Sequence, residues 1–207
     1  MVDSYKKLRF YLKADSIMNG YKEVPLSRRL FHVNYVKKFL KTLRITEWLY
    51  NQKSKKKNSW MWVLYFFYSR RLDLLSYKCG FYIPLNTLGY GIFLPHHGTC
   101  IINSAAKVGN YCAMYNNVCI GGSEPKHIGD GVLFGTGVVI IKEVRVADGV
   151  KVSANSLVNM DINLSNSVWG GQPAKLLRTD VLPWYNQWPW YDRYIKVETL
   201  KKKMNIE

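Results

Sequence analysis

From Leu88 onward, mostly apolar residues recur every six positions. Leu88, Leu94 and Cys100 form a first run, and after a slip of two come Val108, Met114 and Ile120. A second slip of two leads to Ile128, Phe134, Ile140, Val146, Val152 and Val158. Four positions after many of these stands a compact residue: Ile92, Gly98, Cys112, Val118, Val132, Val138, Val144, Val150, Ser156. Turn formers fill much of the space between, as in Gly129-Asp130-Gly131 and Asp148-Gly149. A period of six fits neither a helix nor a simple alternating strand. It fits a short flat strand followed by a corner, so that three hexads close a triangle. The expected structure is a narrow prism with the recurrent residue pointing inward and the compact one easing the corner. Stacked coils then pair their strands in parallel, satisfying backbone donors and acceptors between coils. The slips, placed after Cys100 and after Ile120, are points where the chain loops out without losing register.

The first 80 residues carry a different pattern. Leu30, Val33, Val36, Leu40 and Leu43 recur at steps of three and four, which predicts an amphipathic helix with Lys38 opposite and Arg28 and Lys41 on its flanks. A second helix is expected from Ser59 to Lys78, apolar nearly all round at first (Trp60, Trp62, Val63, Leu64, Phe66, Phe67) and basic at Arg70 and Arg71. Such a helix is either packed or seeking an interface. Lys53 to Asn58 reads as a polar connection between them. The organisation is therefore a basic helical region over 1–80, a β-helix domain over 81–175, and an aromatic-rich basic tail over 176–207.

Charge sharpens this division. The chain of 207 residues has formal net charge +16, of which residues 1–80 carry +13 and residues 81–175 only +1. An N-terminal region facing phosphates or an anionic membrane leaflet is one reading, and a solvated face is the other. The apolar fraction of 48% and aromatic fraction of 14% are those of a globular chain. Four cysteines without a CxxC pair indicate neither a disulfide framework nor a zinc ribbon, and fit reduced thiols in a cytosol. No secretion signal or transmembrane segment is expected, which makes the chain cytoplasmic, with peripheral contact at the inner face of the membrane as an extension. Because the basic groups lie outside the repeat, nucleic acid is not an expected partner.

Three stretches carry a family resemblance: Gly91-Ile-Phe-Leu-Pro-His96-His-Gly-Thr, Ile128-Gly-Asp-Gly-Val-Leu-Phe-Gly-Thr-Gly, and Trp169-Gly-Gly-Gln-Pro-Ala-Lys175. Over roughly 80–177 the chain resembles the hexapeptide-repeat acyltransferases, more closely the serine acetyltransferase-like branch. The resemblance implies a left-handed parallel β-helix, a homotrimer, and acetyl-CoA bound as acyl donor between neighbouring prisms. Within it, His96 matches the catalytic histidine. An acceptor hydroxyl is a poor nucleophile at neutral pH, and an imidazole that takes its proton is worth about 10²- to 10⁴-fold. His97 is expected on the opposite side of the strand by alternation. Thr136 and Ala154 match positions where small residues let the pantetheine arm lie close, with Gly135 and Gly137 keeping that surface open. Lys151 and Lys175 are candidates for the nucleotide phosphates, and no metal site is expected.

The chain also departs from that branch, which carries an acidic residue before the catalytic histidine and another one coil earlier. Here those places hold Pro95 and Phe81, and His127 stands two positions from the family's further histidine. The departures favour a saccharide or lipid-linked saccharide acceptor, as in capsular or exopolysaccharide synthesis, with serine O-acetylation as the alternative. A metal-dependent hydratase using His96, His97 and His127 and a scaffold without catalysis are further readings. The tail Trp184-Tyr-Asn-Gln-Trp188-Pro-Trp190-Tyr suits sugar stacking, a lipid interface, or packing against the prism.

Overall fold

The computed structural model describes residues 1–21, 34–53 and 59–206. Helix α1 (Tyr5–Met18) starts at Ser4, whose side chain accepts from the Lys7 amide at 3.1 Å, an N-cap that satisfies an otherwise unpaired donor. Helix α2 (Tyr35–Lys53) and helix α3 (Ser59–Cys79) follow. Val36, Leu40 and Leu43 of the expected amphipathic stripe are buried, and Lys38 and Lys41 are exposed. Arg28, Leu30 and Val33 of that expectation, and residues 54–58 of the polar connection, lie outside the described residues. Among the described residues, one face of α3 is covered. Leu72, Leu75 and Cys79 are buried, while Trp60, Val63, Phe66, Phe67 and Leu74 are exposed. Among the described residues no helix is long and apolar enough to cross a membrane.

The remainder is a parallel β-helix with three faces. The first sheet stacks β1 (Phe81–Tyr82), β2 (Cys100–Ile102), β5 (Val118–Ile120), β8 (Val139–Ile140) and β11 (Leu157–Val158). The second stacks β4 (Ala113–Met114), β7 (Leu133–Phe134), β10 (Lys151–Val152) and β12 (Val168–Gly170), and the third β3 (Ala106–Val108), β6 (Lys126–Ile128) and β9 (Val144–Val146). All twelve residues of the six-residue series are buried, and of the compact series only Gly98 is not. The period-six pattern is therefore the print of the prism's interior.

Register moves the first slip. Cys100 pairs with Val118 and Ile102 with Ile120, so Ile102, not Cys100, continues the inward series. The two extra residues thus lie between Leu94 and Ile102, in the corner that holds His96, and Cys100 stacks in the compact column. The second slip stands as expected, between Ile120 and Ile128. Periodicity alone missed the first because both Cys100 and Ile102 point inward on β2, and either could continue a count of six.

After residue 175 the chain does not become a loose tail. Strand β13 (Lys175–Arg178) turns back antiparallel on β12, and helix α4 (Trp190–Lys203) packs on α1. Asp192 in its first turn and Lys201, Lys202 and Lys203 in its last complement the helix dipole. The aromatic run packs rather than presents itself. Trp184 is buried, stacks on Phe93 at 5.3 Å and donates from Nε1 to the Tyr111 carbonyl at 2.8 Å. Trp188 remains exposed.

Candidate active site

Each coil leaves the second sheet through the same corner. Phe93, Ala113, Leu133 and Lys151 are register partners in four successive coils, so Asn116, Thr136 and Ala154, three positions on, occupy equivalent corner places, while the longer first corner carries His96 and brings Gly98 against Asn116. Coils in a sheet lie about 4.8 Å apart, which makes this a continuous edge along the prism. Hydrogen bonds tie it together: Gly137 N donates to Asn116 O at 3.1 Å, Asn155 N to Thr136 O at 2.8 Å, and Thr136 Oγ1 to Asn116 Oδ1 at 3.0 Å. The chain turns at the next residue, where Asn117, Gly137 and Asn155 take left-handed φ of 59°, 74° and 54°. Glycine and asparagine are the residues that visit this region at least cost. Gly135 answers a different demand. A Cβ there would stand 2.7 Å from Ala154 N and 3.0 Å from its Cα, closer than coils can tolerate.

At the wide first corner His96 and His97 are both exposed and both line one cleft of about 790 Å³. The expected separation of the two histidines by strand alternation does not occur, because residues 95–99 form a corner rather than a strand. The cleft is closed by Asn19 and Tyr21 after α1, Lys78 at the end of α3 and Arg193 of α4. Asn19 clamps the segment entering the corner: its Nδ2 donates to Ile92 O at 2.7 Å and its Oδ1 accepts from Leu94 N at 3.1 Å. No sequence pattern marks Asn19, since its partners lie more than seventy positions away. The Tyr115 ring stands beside His96 at 6.3 Å between centroids, tilted by 47°. His96 makes no hydrogen bond to a described residue, and no carboxylate stands in Pro95 or in Phe81, which is buried against Phe39. His127 projects from β6 on the third sheet, paired in register between Lys107 and Arg145, away from the corner that holds His96 and His97.

The expected cofactor residues fall on the same edge and the sheet beside it. Thr136 is half-buried and Ala154 exposed. Lys151, on β10, is half-buried, and its pKa is lowered first by burial and then by the nearby Arg178. Lys175 is exposed and pairs with Gly170, in the row that contains Gly135 and Ser153. Arg178, opposite Val168, joins this basic group. No sequence pattern points to it, because only the return of β13 brings it back onto the sheet.

No protein-family model matches the chain. Among curated proteins it is similar to serine acetyltransferase 2 of Arabidopsis thaliana, 37% identical over 102 residues, covering 46% of this chain and 31% of the relative. The serine acetyltransferase of Synechococcus elongatus is 30% identical over 104 residues, covering 47% of this chain and 43% of the relative. The chain thus spans less than half the length of these two relatives. Among solved structures, the serine acetyltransferase of Neisseria gonorrhoeae superposes with a TM-score of 0.62 at 25% identity, covering 84% of this chain and 67% of that one. A serine acetyltransferase solved in complex with CoA shares the fold, with a TM-score of 0.63 at 20% identity over 84% of this chain and 71% of its own. The likeness is to hexapeptide-repeat acyltransferases, and among them to serine acetyltransferases.

Proposed function

We propose that the protein transfers acetyl from acetyl-CoA to a hydroxyl, with His96 as general base. The observation that carries this reading is the shared edge: the register column of Asn116, Thr136 and Ala154 leads to the longer first corner, where His96 stands on an open cleft. A slender acyl arm fits along such an edge, where Gly135, Thr136, Gly137 and Ala154 offer little bulk, and the cations Lys151, Lys175 and Arg178 suit nucleotide phosphates. The thioester supplies the activated acetyl group. His96 accepts the hydroxyl proton as the acceptor oxygen bonds to the carbonyl carbon, then returns that proton to the departing thiolate. Assembly as a homotrimer, which the resemblance implies, would set the exposed His96 corner against a neighbouring prism.

Free L-serine is the acceptor best supported by the relatives in Arabidopsis thaliana, Synechococcus elongatus and Neisseria gonorrhoeae, each of which is named for serine. The saccharide expected from sequence becomes the second reading, favoured by Pro95 and Phe81, which leave no carboxylate at either place to orient the His96 imidazole or stabilise its charged form. Thiol release from acetyl-CoA, followed with L-serine and with a panel of neutral and acidic sugars, separates the two. Turnover with L-serine is expected to exceed that with any free sugar by about 10-fold or more, as loss of one polar anchor implies. The reverse order would install the saccharide.

We also propose that α3 rests on an anionic membrane surface. Trp60, Phe66, Phe67 and Leu74 are exposed beside Arg70 and Arg71, the mix of apolar and basic groups that seats a helix in an interface. Co-sedimentation is expected with vesicles containing phosphatidylglycerol and not with phosphatidylcholine alone, and Phe66→Ser with Phe67→Ser should abolish it.

A further inference from the structure

We propose that the acceptor is anchored by a negatively charged group, a carboxylate or a phosphate, held by Lys78 and Arg193 beside His96. The inference rests on the acetyl-transfer reading and names the chemistry of the acceptor's other end. Of the described side chains lining the cleft, Lys78 and Arg193 carry permanent charge, and none is Asp or Glu. Neither cation takes part in an ion pair among the described residues. Two cations without a counter-charge among the described residues attract an anion.

The arrangement is built rather than incidental. Arg193 reaches back from α4, half-buried, and donates from Nη1 to the Met18 carbonyl at 3.0 Å. That bond fixes the guanidinium while spending one of its five donors. Gly20 makes room for it, since a Cβ there would stand 2.6 Å from Arg193 Cζ, and its φ of +64° further restricts the position to glycine. Lys78 is steered by the Tyr35 ring, with Nζ 5.1 Å from the ring centre. The Tyr21 hydroxyl has no hydrogen-bond partner among the described residues, although the residue lines the same cleft. A planar fork and a point charge lining one cleft suit a bidentate oxyanion, and His96, which lines the same cleft, meets the hydroxyl.

Matched acceptor pairs test this: L-serine against L-serinamide, D-glucuronate and glucose 1-phosphate against D-glucose, each with saturating acetyl-CoA. The anionic member of a pair should show the lower KM. Arg193→Gln should raise that KM about 10- to 100-fold more than it raises the KM of the neutral member, the loss expected for one charged hydrogen-bonded contact. Lys78→Gln, at an exposed position, repeats the test without touching the Met18 contact. Equal KM values within pairs, or equal losses for charged and neutral acceptors in both variants, would overturn the anchor and leave acetyl transfer standing. Absence of turnover with every acceptor would instead sink the acetyl-transfer reading. Calorimetric titration with inorganic phosphate then decides the anchor alone: binding that both variants weaken supports it, and binding they leave intact overturns it.

Discussion

His96→Ala is expected to lower acetyl-CoA turnover by about 10²- to 10⁴-fold, the usual worth of a positioned general base, with no measurable change in thermal midpoint. The separation of the two effects follows from the side chain's surroundings. His96 is exposed and makes no hydrogen bond to a described residue, so its removal leaves no buried group unpaired. Surface substitutions of that kind stay within about 0.5 kcal/mol. His97→Ala supplies the control, because it lines the same cleft at the same exposure. A comparable loss in both variants would mean that the cleft needs its shape or charge rather than one base. Unchanged turnover in His96→Ala would remove the proposed mechanism.

What the sequence made legible was set by the range of the interaction involved. The prism was readable because each coil repeats the same local demand: Phe134, Ile140, Val146 and Val152 point inward at steps of six for the same geometric reason. The shared corner of Thr136 and Ala154 came from resemblance, and the register supplied its reason. The placement of the first slip failed where β2 presents two inward residues, Cys100 and Ile102, and only pairing with β5 decides between them. Helix α4 was missed for a different reason. Of its residues only Val197 is buried, so it offers no apolar stripe to a pattern search, and its packing on α1 joins the two ends of the described chain. Asn19, Lys78 and Arg193 were invisible as a site because they come from three helical segments and meet only when those segments lean on the first coil.

Arg44→Ala should destabilise the protein by about 3–5 kcal/mol, the cost of stripping one partner from a buried ionic cluster. Against a typical total of about 5–15 kcal/mol, that loss leaves a folded state of marginal population at physiological temperature. Arg44 is wholly buried. Its Nε donates to Asp15 Oδ2 at 2.8 Å, and Nη1 donates to Glu47 Oε2 and to the Leu88 carbonyl, each at 3.0 Å. Nη2 donates to the Gly89 carbonyl, and the Tyr11 ring lies 5.0 Å away. Burial works against the charged guanidinium, yet Asp15 and Glu47 outweigh it and hold its pKa above the ordinary arginine value. The carboxylates have second duties, since Asp15 Oδ1 accepts from Ile92 N at 3.1 Å and Glu47 Oε1 from Asn86 N at 2.8 Å. One cluster therefore fastens α1 and α2 to the first coil, the coil that ends in Pro95 and His96. Arg44→Lys should recover only part of the loss, because a single ammonium cannot serve both carboxylates and both carbonyls. Replacing Asp15, Arg44 and Glu47 together by apolar residues should recover more than Arg44→Ala alone, as it leaves no charge stranded. Urea titration of the three variants measures these differences. If Arg44→Ala unfolded at the wild-type midpoint, the other contacts of the helices, among them Asn19 with Ile92 and Leu94, Phe39 with Phe81, and Phe10 and Tyr11 with Tyr90, would suffice, and the first coil would not depend on the ionic clamp.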